Sequence, residues 1–157
     1  MKIVIRKATK KDLPQLVKLS WHFYFDTRAY SKKYARIVKN YGELRAQGFG
    51  NELRKRKTLF LVAENGKSLV GFAISDLKEH RAFYADRKYV ELVELFVLNE
   101  FRKRGVATAF IRKTFAWARR NGANHIDLEA WSGNEPALEF YAKMGFKEKR
   151  KVMTRKI

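Results

Sequence analysis

The sequence predicts a mixed α/β (α+β) fold, one mostly antiparallel sheet flanked by helices in the order β-α-α-β-β-β-α-β-α-β. Three observations predict it. Short runs rich in Val, Ile, Leu and Phe alternate with longer stretches of helical periodicity. Asn65-Gly66, a pair favoured in tight hairpins, separates two of the short runs. The longest short run feeds directly into an amphipathic stretch that ends at a glycine, the signature of a strand followed by a helix packed on the sheet. With 157 residues, 46% of them hydrophobic, the chain is long enough for one domain, residues 1–157, to bury a core without staples.

Residues 2–6 alternate, with Ile3 and Ile5 on one face, and form the opening strand. Thr9 and Asp12 offer a capping box, Pro14 suits a first helical turn, and Leu13, Leu16, Val17, Trp21 and Tyr24 make the first apolar stripe. Ser31 is read as the cap of a second helix, with Tyr34, Ile37, Val38, Tyr41 and Leu44 as its stripe and Gly48 as its stop. Residues 58–64 and 68–75 are strands around the Asn65-Gly66 turn, and 77–88 is a polar connection. A central strand over 89–98 precedes a helix over 105–120, whose Val106, Phe110, Thr114 and Trp117 face a sheet. Arg119 and Arg120 suit its C-terminus and Gly122 its exit. A strand over 123–130, a helix capped by Asn134 and stopped at Gly145, and a final strand over 146–155 complete the order.

The charge balance is 35 Lys+Arg against 16 Asp+Glu, a formal net of +19. Such a field draws polyanions, so proximity to nucleic acid or the ribosome is one expectation and a solubility or thermophile surface is the other. Between residues 32 and 57 the basic residues interleave with Tyr34, Tyr41 and Phe49, a pattern read as a solvated helix face ahead of a nucleic-acid surface. No cysteine is present, which excludes disulfides, thiolate metal sites and a cysteine nucleophile. His22, His80 and His125 are too scattered to suggest a metal site. No apolar run approaches a membrane span and the first residues lack a signal-peptide core, so the expectation is a cytoplasmic protein without membrane contact.

The chemistry is carried by two blocks. In Val97-Leu98-Asn99-Glu100-Phe101-Arg102-Lys103-Arg104-Gly105-Val106-Ala107 a strand meets a basic turn that opens a helix. The first N–H groups of a helix have no intrahelical partner and lie at its positive end, a setting for a phosphate or pyrophosphate. Gly105 lets the backbone approach such a ligand, while Arg102, Lys103 and Arg104 supply charge. The second block runs Leu128-Glu129-Ala130-Trp131-Ser132-Gly133-Asn134-Glu135-Pro136-Ala137, then Tyr141 and Gly145-Phe146.

Arg102-x-x-Gly105-x-Ala107 and the second block together resemble the GNAT superfamily of acetyl-CoA-dependent N-acetyltransferases, over most of the chain and least between residues 28 and 57. The resemblance implies acetyl-CoA as co-substrate. Arg102, Lys103, Arg104, Gly105, Val106, Ala107 and Thr108 would surround its pyrophosphate, and the main chain of Leu95, Phe96 and Val97 would run beside the pantetheine. Asn134, Ala137 and Tyr141 would line the thioester end, with Tyr141 as general acid toward the leaving sulfur. For the general base the resemblance offers Glu129, as in ribosomal-protein N-terminal acetyltransferases, or Glu94, as in diamine acetyltransferases, with Glu91 a further candidate; a water chain is the alternative. Alternation puts Glu91 and Glu94 on opposite faces of an unbulged strand, but in this superfamily the strand is splayed or bulged, so parity does not decide.

The acceptor groove is expected between the first two helices and residues 77–88, with Tyr24 or Phe25 reaching it. The acceptor is an amine, protein or peptide ahead of a small polyamine-type molecule, because a +19 chain without an evident acidic cluster repels polycations. A non-catalytic acyl-CoA- or nucleic-acid-binding module is the reading from another class, and the resemblance allows a homodimer.

Overall fold

The computed structural model describes residues 3–31, 37–85 and 87–155. Five strands, β1 (Ile3–Lys7), β2 (Thr58–Asn65), β3 (Ser68–Glu79), β4 (Lys88–Val97) and β5 (Ile126–Leu128), lie side by side in chain order. The first three pairings are antiparallel and the last, β4 with β5, is parallel, which requires the helical crossover between them. That crossover is α3 (Val106–Arg120). The other helices are α1 (Leu13–Ser31), α2 (Tyr41–Glu52) and α4 (Glu135–Lys143).

Each face of the sheet has its own core. Leu16 and Leu19 of α1 and Phe49 of α2 meet Phe60, Val62, Phe72, Ile74 and Phe96 on one face. Val106 and Phe110 of α3 meet Leu59, Leu61, Ala73 and Val97 on the other. Continuous burial along β2 and β3 follows from this two-sided cover. Ahead of α1, Asp12 accepts from the Thr9 N–H at 2.7 Å and both Arg6 guanidinium nitrogens at 2.8 Å. Arg6 also bonds Glu64 of β2, so the cap is riveted to the sheet, and the Arg6 guanidinium holds the Asp12 carboxyl below its ordinary range.

Several expectations need correction. Ser31 does not cap a second helix; it is the buried last residue of α1. The second helix starts after Asn40 and carries Gly48 in its interior, because Phe49, buried against Phe60 and Phe72, sets where it must lie. Val38 and Leu44, read as part of the apolar stripe, are exposed, and Tyr34 lies outside the described residues. The 77–88 connection shrinks to residues 80–87, since Leu77, Lys78 and Glu79 pair with Val90, Tyr89 and Lys88. No strand forms over 146–155. Its alternate positions are occupied by Lys147, Lys149 and Lys151, and its apolar Val152 and Met153 stay in solvent, so pairing there would bury charge and gain little. The segment instead rests on β5 and the residue after it through Lys149–Asp127 and Arg150–Glu129 ion pairs.

Candidate functional site

β4 and β5 pair only from Val90 to Leu92 and from Ile126 to Leu128. Beyond those residues the strands part, and a cleft of about 450 Å³ opens between them. Two features open it. β5 ends at Leu128 and gives way to the turn that leads into α4. β4 carries a bulge: Ile74 pairs with Glu94 and Ser75 with Leu92, leaving Val93 unpaired. A bulge bends its strand and sharpens the twist.

The bulge also settles the faces of the acidic residues. Glu94 sits opposite Ile74 and Glu91 opposite Asp76, so both carboxylates lie on the α1/α2 face, where strict alternation would have separated them. Glu91 points to Lys78 at 3.4 Å, outside the cleft lining. Glu94 does line the cleft and receives both terminal nitrogens of Arg45, at 2.9 and 2.7 Å. Arg45 comes from α2, stacks 4.2 Å over the Phe49 ring, and is only 24% exposed, against 16% for Glu94. Among the described residues, the one carboxylate on the β4 wall is thus neutralised by a bidentate, half-buried guanidinium.

Across the cleft stand the residues of the second block. Glu129 follows β5 with its side chain in solvent, 3.5 Å from Arg150. Asn134 caps α4, its Oδ1 accepting from the Ala137 N–H at 3.3 Å, with Pro136 inside the first turn. Tyr141, one turn on from Ala137, faces the cleft, and burial pushes its phenol up to about 12. Six of the expected site residues, Glu94, Leu95, Glu129, Asn134, Ala137 and Tyr141, therefore share one cleft. Tyr24 of α1 joins them, whereas Phe25 turns outward and stacks on Trp21, and none of the described residues of 77–88 takes part. Phe96 and Val97 are buried in the two cores.

The turn into α3 is built as a backbone cradle. Lys103 (φ 57°) and Gly105 (φ 79°) both adopt left-handed conformations just before α3, whose first N–H groups, at Val106, Ala107 and Thr108, have no partner within the helix. A Cβ added at Gly105 would meet nothing within 4 Å, so the space in front of this backbone is open to a phosphate. The Arg102 guanidinium bonds the Val97 carbonyl at 2.8 Å and Asp26 of α1, and so braces the turn. Lys103 and Arg104 remain exposed beside the cradle. Arg45 escaped the sequence reading because nothing local marks it; its partner lies 49 residues away.

Among the described residues no cluster of three or more His, Cys, Asp or Glu gathers, and no helix is long and apolar enough to cross a membrane.

The family model described as the acetyltransferase (GNAT) family matches residues 13–146. A Methanocaldococcus jannaschii protein named an N-acetyltransferase is 34% identical over 152 residues, covering 94% of this chain and 62% of its own length. A Sulfurisphaera tokodaii protein named N-alpha-acetyltransferase is 30% identical over 108 residues, 64% of this chain and 63% of its own length. The matches thus span less than two thirds of either relative. An aminoglycoside N-acetyltransferase solved in complex with CoA shares the fold, with a TM-score of 0.77 over 99% of this chain and 95% of that one at 19% identity. The chain belongs to the acetyltransferase (GNAT) family.

Proposed function

We propose that this protein transfers the acetyl group directly from acetyl-CoA to the α-amine of a protein or peptide. The Arg45–Glu94 pair carries this reading. An acceptor must present its amine as the free base. At pH 7.5 roughly a third of α-amines are neutral but only about 0.1% of lysine-type amines, given ordinary pKa values of 7.7–8.0 and 10.4. A site for cationic amines therefore needs an unpaired carboxylate to gather the ammonium and take its proton. Here Glu94 is held by Arg45, while Glu129, the other carboxylate lining the cleft among the described residues, lies in solvent 3.5 Å from Arg150. The cleft is lined instead by Phe23, Tyr24, Tyr41 and Leu92, which suit an uncharged amine on an apolar residue.

Acetyl-CoA supplies the thioester; the amine attacks its carbonyl carbon and the carbon–sulfur bond breaks. The absence of cysteine fits direct transfer, with no thiol to hold the acetyl group. The α3 cradle, Gly105 to Thr108 with Lys103 and Arg104, would hold the pyrophosphate. Tyr141, protonated at neutral pH, would donate its O–H to the departing sulfur, and the proton released by the amine would leave through water held by Glu94 and Glu129. The Sulfurisphaera relative's name supports the same acceptor class.

The test is free-thiol release with four acceptors: a peptide with a free N-terminus, the same peptide N-terminally blocked but carrying a lysine, spermidine, and an aminoglycoside. Turnover of the free peptide, lost on blocking, is expected. Faster turnover of spermidine or the aminoglycoside would overturn the acceptor assignment. Tight acetyl-CoA binding without release from any amine would favour a binding module.

A further inference from the structure

The far end of the sheet, where β3 stops and β4 and β5 begin, carries a ladder of rings that the acetyl-transfer site does not use. His80 stacks on Tyr89 with centroids 4.4 Å apart, and Tyr89 on His125 at 5.5 Å with ring planes 7° apart. Tyr84 continues the ladder from His80 at 5.5 Å, and Phe83 from Tyr84 at 4.8 Å. The inner three rings come from the ends of three neighbouring strands and are half-buried. The outer two are 55% and 74% exposed, in a turn closed by the His80 N–H on the Arg87 carbonyl at 2.7 Å. Exposing two adjacent aromatic rings costs hydrophobic free energy that a merely polar turn would avoid.

The setting is cationic. Arg81, Arg87 and Lys88 flank the rings, all exposed and, among the described residues, none in an ion pair within 4.0 Å, with Glu79 the carboxylate whose charge Arg87 and Lys88 feel, on a chain of net charge +19. Asp86, the acidic residue of the same turn, lies outside the described residues. We propose that this ring ladder and its three cations form a platform for single-stranded nucleic acid, with unpaired bases stacking on Phe83 and Tyr84 and phosphates meeting Arg81, Arg87 and Lys88. Every base has a π-face, so such a platform binds without sequence preference. Unpaired strands fit better than duplex because a duplex hides its base faces, and a lipid surface would call for an amphipathic helix with a broad apolar face, where Phe83 and Tyr84 stand on a short turn.

The test is fluorescence anisotropy with a labelled 12-nucleotide RNA, the matching DNA strand and a 20-base-pair duplex, from 50 to 200 mM salt. Single strands are expected to bind best. Phe83→Ala/Tyr84→Ala should weaken binding about tenfold or more while leaving the salt slope unchanged, because the slope counts phosphates. Arg81→Ala/Arg87→Ala should instead flatten the log–log slope by about 1.4. Phe83→Leu/Tyr84→Leu keeps apolar bulk without a π-face and repeats the aromatic test should the alanine pair fold poorly; unchanged acetyl-CoA binding checks the fold of each variant. Undiminished binding by both aromatic variants, tighter binding of the duplex, or no binding of single strands at 50 mM salt would overturn the proposal.

Discussion

Arg45 of α2 grips both carboxylate oxygens of Glu94 on β4, at 2.9 and 2.7 Å, and so joins the helical wall of the cleft to its strand wall. Arg45→Ala would leave a half-buried carboxylate alone, at a cost of about 1–3 kcal/mol in stability. It would also hand the cleft a free negative charge. The expected signature is a lower melting temperature together with a rise in kcat/KM for spermidine relative to the free peptide. Arg45→Lys, which keeps the charge but loses the two-pronged geometry, should fall between. An unchanged acceptor ratio in both variants would detach the pair from specificity.

Tyr141→Phe should lower kcat about 100-fold with little change in acetyl-CoA affinity, the mark of a donor that acts on the departing sulfur. The same phenol predicts an alkaline signature. Folded, its pKa is about 12; unfolded, about 10. Below pH 10 both states hold the proton and the shift has no effect. As pH rises from 10 to 12 the unfolded chain releases it first, so stability falls, by about 2–3 kcal/mol at most. Urea unfolding at pH 9 and 11.5 should show the fall in the wild type and a smaller one in Tyr141→Phe.

Gly105→Glu would place a carboxylate where the cradle opens and is expected to weaken acetyl-CoA binding at least about 100-fold by calorimetry. Gly105→Ala separates the two causes. Nothing crowds its Cβ, so its cost is the left-handed backbone, about 1–2 kcal/mol of stability, with binding largely kept. Equal binding by the glutamate variant would place the phosphate elsewhere.

Gly71→Ala is expected to be the more damaging of the two alanine substitutions. Its Cβ would lie 2.6 Å from the Phe96 carbonyl oxygen and 3.3 Å from Val97, backbone that cannot swing aside. A loss of about 2–4 kcal/mol in thermal or denaturant unfolding is the expected outcome, since β3 and β4 would have to separate at the Gly71–Val97 pair.

The strands and α3 were legible wherever one local rule sufficed: the Asn65-Gly66 turn, the alternation in β1, and the stripe of Val106, Phe110 and Thr114. The basic turn and the Asn134 cap were legible for the same reason, because glycine conformation and capping are local. What escaped was set by distant contacts. α2 lies where Phe49 fills the core rather than where Ser31 offers a cap. Arg45 became part of the cleft only when β4 met α2, and the expected last strand failed because no neighbour could bury it. The contacts of Arg102 with Asp26 and the Val97 carbonyl escaped for the same reason, since no local rule marks them.

Nine residues of β3, Gly71 to Glu79, are matched to ten of β4, Lys88 to Val97. The surplus is gathered at Val93, much as a crystal gathers the misfit of an extra half-row into one dislocation and leaves the lattice on either side perfect. The sheet would be complete without that residue, because every cross-strand partner would survive its removal. A chain lacking Val93 should therefore fold, with a melting temperature near or above that of the parent, yet bind acetyl-CoA poorly because the two strands would no longer diverge. One unpaired residue, kept in place, helps to hold the two strands apart.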